Sequence, residues 1–148
     1  MSQSKQRFIV DEWLWHDLNG ENGDEKRAEA FAFVEKVLHK CDMIVSLKQS
    51  PFEQKFFQLC QRTDVVTRRI VRFFRMQILQ NQQKYRTYAE ADCPPLPDES
   101  AVKTDDVYLV RLGLGGYGTV VTTDNPLLQR LQEMNVPCIH RDTLLKQY

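Results

Sequence analysis

The segment Val120-Val121-Thr122-Thr123-Asp124-Asn125-Pro126 most constrains the fold of this chain. A β-branched run reads as a buried strand. Asn125-Pro126 behind it opens a helix, because proline suits the first helical turn, where its missing N–H is not needed. A strand that passes into a helix without a hairpin returns to its sheet by a crossover, and that makes the sheet parallel. Asp124 stands at this junction, on the carboxyl edge where open α/β sheets place their ligand crevice.

The same grammar runs through the rest of the sequence. Arg7-Phe8-Ile9-Val10-Asp11 is an apolar strand ending in an acid. After the Asn19–Asp24 loop, Glu25 to about Lys40 predicts an amphipathic helix with Ala28, Phe31, Val34 (or Ala32) and Leu38 inward and Asp24 as a cap. Asp42–Ser46 is a second strand, and Ser50-Pro51 opens a helix that carries Glu53 in its first turn. A helical region spans roughly Asp64 to Gln83 with Val66, Ile70, Phe73 (with Phe74) and Gln77 or Ile78 along one side. Asp92–Ser100, with Pro94, Pro95 and Pro97, is a loop. Thr104 caps a short helix through Leu112, Thr119–Thr123 is a strand, and Pro126 to Asn135 is a helix. Val136–Ile139 is a last strand, near an edge because Pro137 offers no N–H. The order β-α-α-β-α-α-α-β-α-β predicts one domain over residues 1–148, a three-layer α/β/α sandwich around a mainly parallel sheet.

Twenty Lys and Arg balance twenty Asp and Glu, so no global field draws the molecule to nucleic acid or membrane. The charge is local: between Arg62 and Arg86 seven cations face the single acid Asp64. No run of about 18 apolar residues exists and the amino terminus leads straight into a strand, which predicts a cytoplasmic protein without a membrane segment. Cys41, Cys60, Cys93 and Cys138 are scattered without a CxxC pair and read as free thiols.

Three motifs invite over-reading. Gly113-Leu114-Gly115-Gly116-Tyr117-Gly118 matches GxGxxG, yet it follows a helix and opens a strand, the reverse of a dinucleotide-binding turn. His140-Arg141-Asp142 resembles a kinase catalytic loop in a chain with no room for a kinase. His39 and Cys41 with Cys138 and His140 make a zinc set only if the two segments meet, and their spacing is unusual for zinc.

Four acids remain. Asp11 and Asp124 end strands; Glu53 and Asp106 lie in the first turns of helices. Each has a plainer role: Glu53 and Asp106 suit helix N-termini, and Asp124 suits a cap. Together in one crevice they would raise one another's pKa values unless a divalent cation neutralised them, and oxygen donors suit Mg2+ or Mn2+.

At these residues the sequence resembles the PIN-domain ribonucleases. The match runs from the strand ending in Asp11, through Ile44-Val45-Ser46 and Pro51-Phe52-Glu53, to Asp106-Val107-Tyr108-Leu109-Val110 and Val120-Val121-Thr122-Thr123-Asp124. The resemblance implies a compact α/β/α fold of the single-domain, toxin-like kind and a metal site made by Asp11, Glu53, Asp106 and Asp124. Thr122 matches the polar residue before the last acid, and Asp105 competes with Asp106. The bulky Trp13 and Trp15 after Asp11, and the long basic middle, depart from the family pattern.

The chemistry implied is hydrolysis of single-stranded RNA by one or two Mg2+ or Mn2+ ions, with Arg68, Arg69, Arg72 and Arg75 holding the phosphate backbone. The plainer reading of those arginines is a solvated helix face. The expected partners are RNA, an antitoxin or another protein, and a second copy in a homodimer. The alternative is a non-catalytic PIN-like module that binds RNA or protein. A phosphotransferase with Asp11 as nucleophile fits less well, because Glu12-Trp13 stands where a second aspartate would be needed.

Overall fold

The structure, a computed structural model, describes residues 5–96 and 102–148. Met1–Ser4 and the Pro97–Ser100 part of the proline loop lie outside the described residues. The elements are β1 (Arg7–Val10), α1 (Trp13–Leu18), α2 (Asp24–His39), β2 (Met43–Leu47), α3 (Pro51–Leu59), α4 (Val65–Phe74), β3 (Tyr85–Tyr88), α5 (Val107–Leu114), β4 (Thr119–Thr122), α6 (Asn125–Glu133), β5 (Cys138–His140) and α7 (Arg141–Gln147).

The five strands form one all-parallel sheet in the order β3-β2-β1-β4-β5. Phe8 pairs with Ile44 on one side and Thr119 on the other, and Val10 with Val121. Right-handed crossovers place α1 to α4 on one face, because β1, β2 and β3 step outward in one direction. The chain then steps back past β1 to β4 and β5, which puts α5 and α6 on the opposite face. Helices on both faces of a parallel sheet make the three-layer α/β/α sandwich that the sequence predicts. The strand order reverses between β1 and β4, the switch point at which such sheets open a crevice.

Burial follows from this layering. Ile9, Ile44 and Val120 are 0% exposed in the sheet, as are Leu109, Val110 and Leu112 on α5. On the other face Trp15 packs against Phe52, Phe56 and Phe74 with ring centroids 4.7, 5.1 and 4.9 Å apart. The buried side chains form one contiguous cluster. No helix among the described residues is long and apolar enough to cross a membrane.

Several elements differ from the sequence expectation. The basic region is α4 followed by a π-turn over Arg75–Leu79, and its inner stripe is Thr67, Ile70, Val71, Phe74 and Ile78; Val66 faces out at 49% exposure. On α2 the buried residues are Ala30, Phe33, Val34 and Val37, with Phe31 and Leu38 only partly covered, and Gly23 rather than Asp24 is the cap. Strand β3 and helix α7 are additions, and β5 is an edge strand as its proline predicts.

The three deceptive motifs resolve into packing. Gly116 ends the turn after α5 at φ +76°, and a Cβ at Gly118 would lie 2.7 Å from the Arg7 carbonyl oxygen, so the glycines let α5 pass tightly into β4. The zinc set does not assemble: Cys41 precedes β2 and Cys138 begins β5, three strand spacings apart, about 14 Å. His140 caps α7, its Nδ1 accepting from the Asp142 amide at 3.0 Å.

Candidate functional site

At the β1/β4 switch point an open cleft of about 700 Å3 is lined by Asp11, Glu12, Asp105, Asp106, Thr123 and Asp124, with Lys26, Lys103 and Arg141 also contributing. The sheet sets Asp11 rigidly. Its amide extends the β1–β4 ladder to the Val121 carbonyl at 3.1 Å, and the same carbonyl accepts the Trp13 indole N–H at 3.0 Å. The bulky residue after Asp11 is therefore turned into the core, 5% exposed, rather than across the cleft.

Thr122, fully buried at the end of β4, joins two of the acids. Its hydroxyl donates to Asp11 Oδ2 at 2.7 Å and accepts from the Asp124 amide at 3.1 Å. Asp11 Oδ1 takes the Glu12 amide at 2.7 Å. Asp124 does serve as a cap, its Oδ1 accepting from the Leu127 amide at 3.1 Å, which leaves Oδ2 free of that duty.

Asp106 behaves differently. A 3-10 turn over Thr104–Asp106 delivers it to the start of α5, where its carboxylate makes no capping hydrogen bond. The plainer account of this residue, a charge spent on a helix end, thus has no bond behind it. Burial and then the charges of Asp11 and Asp124 push its pKa up to about 6. Asp11 is raised as well, by burial first and further by Asp124, against the hydrogen bonds of Thr122 and Glu12. Glu12, which sequence reasoning passed over, is raised by burial and by Asp11, with Asp105 adding to it. Asp105 thus bears on Glu12, while Asp106 feels Asp11 and Asp124.

Glu53 is not brought to this cleft. It belongs to α3, on the face of the sheet opposite α5. There its carboxylate accepts from the Gln49 amide and the Tyr85 hydroxyl, both at 2.9 Å, and lines a separate pocket. The arginines of α4 and of the π-turn after it are also elsewhere. Arg68, Arg69, Arg72 and Arg75 line a groove with Val65 and Met76 that shares no residue with the cleft.

Arg141 has a structural role that the kinase-like reading hid. At 2% exposure it pairs with the equally buried Asp17 at 2.8 Å and also reaches Glu29 at 3.3 Å and Asp142 at 2.8 Å, tying α7 to α1 and α2 below the cleft. The cleft cations without an ion-pair partner among the described residues are Lys26 and Lys103.

Whether a hard cation suits these groups can be judged from the donors. Among the described residues no three Asp, Glu, His or Cys side chains stand close enough to chelate one ion directly. Mg2+ does not need three; it keeps several waters and takes one or two carboxylates. Asp11, Asp106 and Asp124 supply oxygen donors whose charges are mutually unfavourable. Tyr108 on α5, 3% exposed, buries a hydroxyl with no hydrogen-bond partner among the described residues. Burial chiefly, and then Asp11, Glu12 and Asp106, hold that phenol protonated by raising its pKa. Partly desolvated carboxylates that raise one another's pKa fit a site completed by a hydrated cation.

Compared with protein-family models and with curated proteins, the sequence matches none.

Proposed function

We propose that the chain is a metal-dependent endoribonuclease of the PIN-like type, with Asp11, Asp106 and Asp124 as the cation-binding carboxylates and single-stranded RNA as substrate. One observation carries the reading. Asp106 presents a partly desolvated carboxylate, free of helix capping, to Asp11 and Asp124 at the switch point of a parallel sheet. Structural carboxylates are normally hydrogen-bonded or paired. The fold class and the strand-end acids are those that the PIN resemblance implies, with Glu53 left out of the ligand set.

A divalent cation held there would supply the positive charge that activates a water and neutralises a scissile phosphate. The protein's own part is positioning. Thr122 and the Glu12 amide fix Asp11, and the start of α6 fixes Asp124. Lys26 and Lys103 stand on the cleft wall to hold the flanking phosphates against the acids' repulsion. A cytoplasmic ribonuclease restrained by an antitoxin-like protein partner is the setting this reading expects.

The test is incubation of the purified chain with labelled single-stranded RNA, with Mg2+, with Mn2+ and with EDTA, beside Asp11→Asn. Metal-dependent cleavage lost in the variant is expected. Cleavage that persists in EDTA rejects the reading, and RNA binding without cleavage under every condition leaves the non-catalytic module in its place.

A further inference from the structure

A second cavity, of about 340 Å3, opens between α1, α3, α4 and β3 and shares no residue with the aspartate cleft. Its wall is largely aromatic, with Trp15, Phe56, Phe57, Phe74 and Tyr85 contributing, and Glu53 is its one charged lining residue. No cation among the described residues pairs with Glu53. Its carboxylate is nonetheless held at both oxygens. Gln49, in the left-handed region at φ 61°, gives its amide to Oε1, and Tyr85 gives its hydroxyl to Oε2, each at 2.9 Å. Left-handed backbone is unfavourable at a non-glycine residue, and here the turn that adopts it points an N–H at the acid.

A fixed negative charge beside aromatic rings selects its ligand by hydration. Ring faces are electronegative and do nothing to compensate a carboxylate, whereas a cation between the two is attracted by both. A metal ion or primary ammonium would have to shed a tight water shell that rings cannot replace. A quaternary ammonium, weakly hydrated and clothed in methyl groups, sheds little and fills apolar space. The cluster already accepts a diffuse cation on its flank, since the Arg75 guanidinium lies 5.9 Å over the Phe56 ring. The volume is at the lower end of the range for small-ligand sites.

We propose that this cavity binds a small organic monocation of the quaternary-ammonium class, its charge beside Glu53 and its methyl groups against the surrounding rings. Either a free trimethylated amine or a trimethylated lysine side chain carries this headgroup. The inference stands on Glu53 and the rings and is independent of the aspartate cleft.

The experiment follows tryptophan emission of the full chain, in which Trp15 lines the cavity and Trp13 does not, on titration with choline, with its neutral isostere 3,3-dimethyl-1-butanol and with a peptide containing trimethyl-lysine, at constant ionic strength. Saturable binding of choline is expected, with affinity on the order of tenfold lower for the isostere and for Glu53→Gln, a difference of about 1.4 kcal/mol. Phe57→Ala, at a ring already 61% exposed and thus harmless to the core, is expected to weaken binding too. Tighter binding of the peptide than of choline identifies a protein side chain as the source; tighter binding of choline identifies a free amine. Thermal melts of Glu53→Gln establish that it folds. Absence of saturable binding, equal affinity for the isostere, or an unaltered affinity in a folded Glu53→Gln overturns the proposal.

Discussion

In the folded chain Asp106 titrates at about 6 instead of 3.8, because burial and then the charges of Asp11 and Asp124 disfavour its ionised form. Between those two pH values the native state keeps a proton that the unfolded chain has released, so stability falls as pH rises through the window. The penalty is absent below about pH 3.8 and complete above about pH 6. The rise from 3.8 to about 6 corresponds to ~3 kcal/mol. Asp106 is only half-buried, and solvent screening reduces this to about 1–2 kcal/mol. Asp106→Asn removes the charge at constant size and, since the carboxylate makes no capping bond, gives up no helix cap. For a domain of this length the variant should melt roughly 3–6 °C higher than the parent at pH 7.5 in EDTA, and at the same temperature near pH 4. Mg2+ or Mn2+ should stabilise the parent at pH 7.5 and the variant much less. Calorimetry or circular dichroism melts at the two pH values read the difference. A variant less stable than the parent at pH 7.5, or a gain equal at both pH values, would refute the electrostatic account of the cleft.

Three further outcomes follow from the same geometry. Asp17→Asn removes the one buried carboxylate of the three that Arg141 pairs with and should cost about 1–3 kcal/mol in urea unfolding, whereas Asp17→Leu with Arg141→Met should cost clearly less. Lys26→Ala/Lys103→Ala should lower the salt slope of RNA binding by about 2, while Arg68→Ala/Arg72→Ala, whose groove lies outside the cleft, should leave it unchanged in filter-binding titrations. Gly118→Ala places a methyl 2.7 Å from the Arg7 carbonyl and should destabilise by about 1–3 kcal/mol in thermal melts.

The parts legible in the sequence are those with a local signature. Phe8-Ile9-Val10-Asp11 and Val120 to Pro126 announce strands that end at acids, and those two strands are neighbours in the sheet. Ser50-Pro51 marks the start of α3. Tyr85-Arg86-Thr87-Tyr88 was hidden because an edge strand need not alternate: Tyr85 and Tyr88 are buried and the two residues between them are exposed. On α2 Val34 is buried as its spacing predicts, but Ala30 and Phe33 rather than Ala28 and Phe31 share its face, because alanine and phenylalanine occur on both sides of Ala28-Glu29-Ala30-Phe31-Ala32-Phe33. The segment opening α7 looked like a catalytic loop because burial of Arg141 depends on Asp17, 124 residues away.

The site follows the same division. Position along a strand placed Asp11 and Asp124. A first-turn position did not settle where a helix carboxylate points, so Asp106 reaches the cleft while Glu53 turns to Tyr85 on the other face of the sheet. Glu12 was not identifiable in advance, because an acid next to a strand-end aspartate has no signature of its own, and only its place on the cleft wall with a raised pKa sets it apart.

The two roles of Asp124 bring the central claim to a single measurement. Mn2+ titration of the parent and of Asp124→Asn by calorimetry, with melts in EDTA alongside, separates capping from cation binding, because asparagine caps a helix about as well as aspartate but is a poor ligand for a hard cation. A hydrated cation held with Asp124 among its carboxylates predicts that the variant retains the parent's metal-free stability within about 0.5 kcal/mol and loses Mn2+ affinity by tenfold or more. Unchanged Mn2+ affinity in a folded Asp124→Asn would show that Asp124 is a helix cap and nothing else.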